Sequence, residues 1–313
     1  MIRTIEWHSG FENFKKHTLK INCEKKINSY CLEILDKDIP QVERNIFDIF
    51  ADYLSIRQNK FVEVLYSGGM DSELVLYSCI VKNIPVKALT MRILIDGVVL
   101  NTHDLYYSEK FCKQYNIEQK IVDFEAKKFY ENGDHYRYLD PYLITQWHVA
   151  SHFWLFEQAT GFPVFGGEYT WPWVGANPMI ISPIRYIYSV YDKFLFDKNI
   201  HGIGTMLSYG LESNIRLMKS HIKVMNQNPN KFGGDNVKIV FFKNAMCKDL
   251  GYSNPELRLK NYGWESIGYA NLNTVEIKLH LIKKYGRTFD QIKWNHKIAE
   301  VLNSIPGENT KFR

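Results

Sequence analysis

Six consecutive residues, Ser67-Gly68-Gly69-Met70-Asp71-Ser72, combine the types needed to hold a phosphate. Two adjacent glycines let a turn take positive φ and let a ligand approach the main chain with no Cβ in the way. Successive N–H groups in such a turn form a concave nest for an anion, and a helix starting behind it adds roughly half a positive charge at its N-terminus. Ser67 and Ser72 add hydroxyl donors. Asp71 adds a carboxylate oxygen suited to Mg²⁺, a hard cation that protein carboxylates usually share with substrate phosphates.

The flanking sequence supplies the elements such a turn needs. An apolar run from Phe61 to Tyr66 reads as a strand over 61–67, and a helical pattern follows over 72–82. Upstream, Ile39-Pro40 is the expected start of a helix whose apolar positions Ile46, Ile49, Phe50 and Tyr53 fall on one face. Downstream, strands are expected at 86–92, 119–124 and 162–165. A helix opening near His103-Asp104 and a long one from Pro141 to about Thr160 lie between them. Strands alternating with helices predict an α/β fold, a doubly wound parallel sheet whose ligands lie at the carboxyl ends of the strands. Both the 67–72 turn and Gly166-Gly167-Glu168 fall at such ends. Beyond about residue 185 the pattern changes to helical segments at 203–227, 272–285 and 288–303. The expected organisation is an extension over 1–38, a nucleotide domain over 39–185, and a mostly helical region over 186–313 packed on that domain.

Composition narrows the class. At 313 residues the chain can bury a large core, and a net charge of +5 with scattered basic residues permits an anionic small molecule or RNA without requiring either. Five cysteines without a Cys-x-x-Cys pair argue against a disulfide framework or zinc knuckle. No apolar stretch approaches the ~20 residues that cross a bilayer, and no signal peptide opens the chain, so a cytoplasmic protein is expected.

Ser-Gly-Gly-x-Asp-Ser after a first strand resembles the signature of the PP-loop (N-type) ATP pyrophosphatase superfamily, and every fixed position matches. The resemblance implies an adenine nucleotide alpha hydrolase-like fold and a reaction in which ATP is cleaved between its α and β phosphates. It also implies ATP and Mg²⁺ as ligands, with Ser67, Gly68, Gly69, Met70, Asp71 and Ser72 around the phosphates. In layout, residues 40–185 are most similar to the synthetase domain of the asparagine synthetase group. There, adenine sits near the end of the second strand, which maps onto Leu89, Thr90, Met91 and Arg92. The acidic loop after the fourth strand maps onto Gly166-Gly167-Glu168, with Gly167 near the nucleotide and Glu168 either a metal ligand alongside Asp71, a residue that orients the substrate, or a solvated loop carboxylate. Two departures stand out. The loop carries fewer acidic residues than the group's, and the chain, beginning Met1-Ile2, is expected to bring no cysteine-dependent glutaminase.

Charge developing on an α phosphate calls for cations. A basic loop over 243–260 offers Lys243, Lys248, Arg258 and Lys260, of which Arg258 and Lys260 point the same way if the stretch is extended. Solvated surface is the alternative for each. His148 and His152 share a helix face in the manner of a metal pair, but they lack a third ligand and are surrounded by aromatics, so a packed helix is expected. Trp171-Pro172-Trp173 walls a substrate pocket or fills core.

The combined expectation is an AMP- and pyrophosphate-forming ligase of carbon–nitrogen bonds. It adenylates a carboxylate or carbonyl acceptor, with Asp71, Ser67, Ser72, Arg258 and Lys260 in the catalytic set. Alternatives are a tRNA-modifying enzyme of the lysidine-forming type and a nucleotide-binding module without turnover. Neither tRNA binding nor a homo-oligomer is required by the sequence.

Overall fold

The computed structural model describes residues 2–5, 31–34, 43–142, 144–167, 182–183, 187–208, 211–227, 236–253, 255–256 and 274–285. Ahead of the main sheet lie two short strands, β1 (Ile2–Ile5) and β2 (Cys31–Ile34), and the helix α1 (Ile46–Leu54). The Asn45 side chain caps α1 by accepting the Phe47 amide at 2.8 Å. The alternating unit follows: β3 (Val62–Leu65), α2 (Met70–Val81), β4 (Val86–Ile95), the two-residue β5 (Val98–Val99), α3 (Thr102–Gln114) and β6 (Glu118–Glu125). Next come α4 (Ala126–Glu131), α5 (Tyr136–Leu139), α6 (Trp147–Glu157) and β7 (Phe162–Phe165). The chain continues through β8 (Ser182–Pro183), α7 (Ile187–Asp197), α8 (Leu211–Gln227), α9 (Asn236–Asp249) and α10 (Thr274–Tyr285).

Four strands pair in parallel in the order β6-β4-β3-β7, and β5 folds back on the end of β4 as an antiparallel hairpin. Numbered along the chain, the parallel strands lie third, second, first, fourth. The order therefore reverses between β3 and β7, and in open α/β sheets ligands bind in the crevice at that switch point. Register makes the crevice level, since Leu65 faces both Leu89 and Phe165. A separate small antiparallel sheet joins β1, β2 and β8.

Alternation along the strands divides the core in two. Val62, Val64, Tyr66 and Ala88 pack with residues of α1, α2, α8 and α9, including Leu74, Leu217, Met246 and Tyr252. Leu65, Leu89 and Ile93 pack on the other face with α6, α7 and α10, where Phe153 and Phe194 stack at 4.2 Å. Residues beyond 185 thus close both faces of the sheet. The mostly parallel sheet with helices on both sides is the expected α/β architecture.

Several boundaries differ from the sequence reading. β4 continues to Ile95 because β5 pairs its last residues. The expected helix from Pro141 begins only at Trp147, after a 3-10 turn over Asp140–Tyr142. The expected helix over 203–227 is a loop with a 3-10 turn at Met206–Ser208, then α8. Within that loop, Ile203 runs beside β7, taking its carbonyl partner from Pro163 and giving its own to the Phe165 amide. The segment at 288–303 and the start at Ile39-Pro40 lie outside the described residues.

Candidate functional site

β3 ends at Leu65, Tyr66 still donates its amide to the Leu89 carbonyl, and the chain then leaves the sheet. Gly68 has φ +76°, and a Cβ built there would lie 2.5 Å from the Asp104 carbonyl in the first turn of α3. Position 68 thus rejects a side chain on conformation and on space together. Gly69 is the N-cap of α2, with extended φ and ψ and no side chain over the first amides. The first backbone bond into the helix is Glu73 N–H to the Gly69 carbonyl. The amides of Met70, Asp71 and Ser72 precede it and have no carbonyl one turn back to bond. Ser72 is buried and its hydroxyl donates to the Gly69 carbonyl at 3.1 Å.

The turn after β7 faces this helix end. A Cβ on Gly166 would stand 2.9 Å from Ser72 Cα, so strand end and helix backbone touch directly. The Gly166 carbonyl accepts the Leu207 amide, and Gly167, at φ +83°, packs beside Thr205. The two glycine turns therefore form opposite walls of the crevice at the switch point.

Asp71 is partly exposed in the first turn of α2, and its Oδ2 accepts from Lys243 Nζ. Lys243 is not in a loop. The stretch expected to be a basic loop over 243–260 begins inside α9, where Lys243 turns toward Asp71 and Lys248 lies exposed on the surface. Packing of α9 against α8 and α2 decides this, through Val240, Met246 and Cys247 in the core. Below the ion pair, Met70, Leu74, Leu217 and Met246 line a cavity of about 20 Å³. That is room for roughly one water. Arg258, Lys260 and Glu168 lie outside the described residues, as does Trp171-Pro172-Trp173.

Leu89 to Arg92, expected at a strand end, lie in the middle of β4, which runs on to Ile95; Leu89 and Thr90 are buried and Met91 packs on the aromatic core. The Thr90 hydroxyl accepts from Gln119 Nε2 at 2.8 Å. Asn101, just before α3, gives its Nδ2 to the Met91 carbonyl and takes the Ile93 amide, both at 2.8 Å. Those two backbone groups are thereby committed. Arg92 points outward and holds Asp123 at 2.6 and 2.9 Å, which makes it one half of an exposed ion pair.

Sequence reasoning passed over Glu73. Nearly fully buried in the first turn of α2, it accepts from the Tyr66 hydroxyl at 2.7 Å and the Tyr252 hydroxyl at 2.8 Å. Burial beside Glu73 pushes the Tyr252 phenol well above its ordinary range and helps hold the Cys112 thiol at about 12. The only sequence signal was a charged residue inside an apolar helix pattern. His152, by contrast, is the expected packed histidine. It is hydrogen-bonded to the Tyr191 hydroxyl at 2.7 Å, and burial lowers it to about 3, so it stays neutral.

The donors fit a phosphate chain, because the strained Gly68 and bare Gly69 leave the helix end open to an anion. For Mg²⁺, Asp71 is the carboxylate at hand, suited to a cation shared with phosphates rather than caged by protein. No group of three His, Cys, Asp or Glu able to hold a metal is found among the described residues. Nor, among them, is any helix long and apolar enough to cross a membrane.

No protein-family model matches the chain, and no curated protein matches it. Solved structures do resemble it in part. One is a protein described as a predicted subunit of tRNA methyltransferase from Methanocaldococcus jannaschii, 17% identical over 72% of this chain and 88% of that one, with a TM-score of 0.32. Another is the NH3-dependent NAD synthetase of Campylobacter jejuni, 18% identical over 72% of this chain and all of that one, TM-score 0.29. The NMN synthetase of Francisella tularensis is 11% identical over 69% and 98%, TM-score 0.29. Likeness at this level says nothing of function, and the fold stands on the strand order itself.

Proposed function

We propose that the chain is an ATP-dependent enzyme that forms AMP and pyrophosphate, passing an adenylyl group to a carboxylate or carbonyl oxygen for later attack by an amine, as in the asparagine synthetase group. The observation that carries this reading is the glycine turn at the switch point. Its position at the crevice, its left-handed Gly68 and the helix-start amides of Met70 to Ser72, which have no carbonyl one turn back, suit a triphosphate tail.

In this reading the amides of Gly68 to Ser72 and the Ser67 hydroxyl bind the β and γ phosphates, and the Ser72 hydroxyl joins them by turning from the Gly69 carbonyl to which it donates in the free protein. The base lies along β4, against Leu89 to Arg92, and Gly167 borders the nucleotide from β7. Lys243 takes the part of nearby cation, with Arg258 and Lys260 as further candidates. Mg²⁺ bound by Asp71, with Glu168 as a second ligand, would supply charge neutralisation for the departing pyrophosphate. An acceptor oxygen attacks the α phosphorus, the bond to the bridging oxygen breaks, and pyrophosphate leaves. The chain's share is to orient and to stabilise charge.

The test is turnover of α-labelled ATP with Mg²⁺, pooled small metabolites and, separately, bulk tRNA. Labelled AMP with pyrophosphate is the expected product. ADP with orthophosphate refutes the reading, ATP binding without turnover favours a passive module, and AMP formed only with tRNA moves the acceptor to RNA.

A further inference from the structure

Two residues in the first turn of α2 are held by the same piece of the C-terminal region. Lys243, midway along α9, bonds Asp71, and Tyr252, just past the end of α9, donates to Glu73 at 2.8 Å. Tyr252 is firmly tied to α9. Its amide donates to the Cys247 carbonyl and Asn244 of α9 holds the Pro255 carbonyl a few residues on, while the Tyr252 ring stacks at 4.2 Å on Tyr77 of α2. Lys243 and Tyr252 therefore move as one unit. Glu73 also accepts from Tyr66, the residue that leads into Ser67. A carboxylate this deeply buried is costly unless hydrogen-bonded, so one side chain joins the entry of the turn, the first turn of α2 and α9 into a single network.

We infer that Glu73 and Tyr252 are positioning residues of the phosphate site: the Tyr252 phenol, through Glu73, sets α9 against the first turn of α2 and so places the Lys243 ammonium beside Asp71. This rests on the phosphate-binding reading above and assigns the region after residue 236 a part in it.

The experiment measures binding of Mg²⁺-pyrophosphate by calorimetry to the full-length protein, its Tyr252→Phe and Lys243→Met variants and the double variant. Labelled AMP formation is followed in parallel. Tyr252→Phe keeps the ring stacked on Tyr77, and a cooperative melt confirms its fold; Lys243→Arg, which retains the charge, provides the rescue control. Each single change is expected to weaken binding about tenfold, with the double variant no weaker than Lys243→Met alone, because coupled residues are not additive. Lys243→Arg recovers most of the affinity. Binding unchanged in Tyr252→Phe, or a double loss of about a hundredfold, overturns the inference. Coupled binding without AMP overturns the adenylation reading and leaves this one standing. AMP formation with additive losses does the reverse.

Discussion

The two ends of β3 each carry a buried glutamate system, and they are built for different purposes. At the amino end Glu63 accepts the backbone amides of Thr160 and Gly161 at 2.6 and 2.7 Å, which fastens the loop entering β7 to the neighbouring strand. At the carboxyl end Glu73 accepts two phenols from separate parts of the chain. Main-chain amides cannot be moved without moving the sheet, whereas phenol hydroxyls report the placement of whole side chains and of the helix behind them. One carboxylate therefore holds the scaffold together, and the other joins the entry of the turn to the segment after α9.

That contrast is broken most readily at Glu63. Glu63→Ala strands two part-buried amides and is expected to remove about 2 kcal/mol of stability while leaving the KM for ATP unchanged; a denaturant titration beside steady-state kinetics checks both halves, and a raised KM erases the distinction. Asp71→Asn should lower AMP formation by ~10²-fold with an unaltered melting temperature. Near-normal turnover would place the metal elsewhere. Gly68→Ala, which meets the Asp104 carbonyl and a strained φ, should weaken ATP binding by about tenfold, with a stability loss of about 2 kcal/mol. Equal affinity in calorimetry would show that the turn does not touch the ligand.

The smallest effect at neutral pH belongs to α7. There Asp192 accepts the Gly204 amide at 2.9 Å, and burial pushes it up to about 7, while burial lowers His152 to about 3 and His221 to about 4. A carboxyl raised on folding gains stability as pH falls from about 7 toward its unfolded value near 3.8, because the folded state holds the proton longer. Histidines lowered on folding do the opposite once pH falls below 6.5. The two trends oppose each other in the wild type. Asp192→Asn removes only the first, so its urea midpoint should fall more steeply than wild type between pH 6.5 and 4; parallel profiles would count against this.

Much of this was legible because it is local. The strand from 61, the glycine turn and the alternation that follows are written in contiguous residues, and periodicity reports them directly. α9 was hidden. Its Phe241 is exposed while its Asn244 is buried on the Pro255 carbonyl, so no apolar stripe marks the helix. Lys243 meets Asp71 across 172 residues of sequence, and Tyr252 meets Glu73 across 179. Contacts of that span depend on helix docking, which spacing within one segment does not encode. Arg92 shows the converse, since its strand was readable, but neither the run of that strand on to Ile95 nor the commitment of Arg92 to Asp123 on the adjacent strand was.

Where the β7 terminus abuts the α2 backbone, the aperture of the cleft is gauged by a single hydrogen atom on residue 166. Even a methyl group at that point would press on the Ser72 amide nitrogen, 3.0 Å away, and act as a shim between strand end and helix start. Bulk at this one locus would thus be felt first by the backbone of Asp71 and Ser72, the same stretch that is proposed to grip the guest.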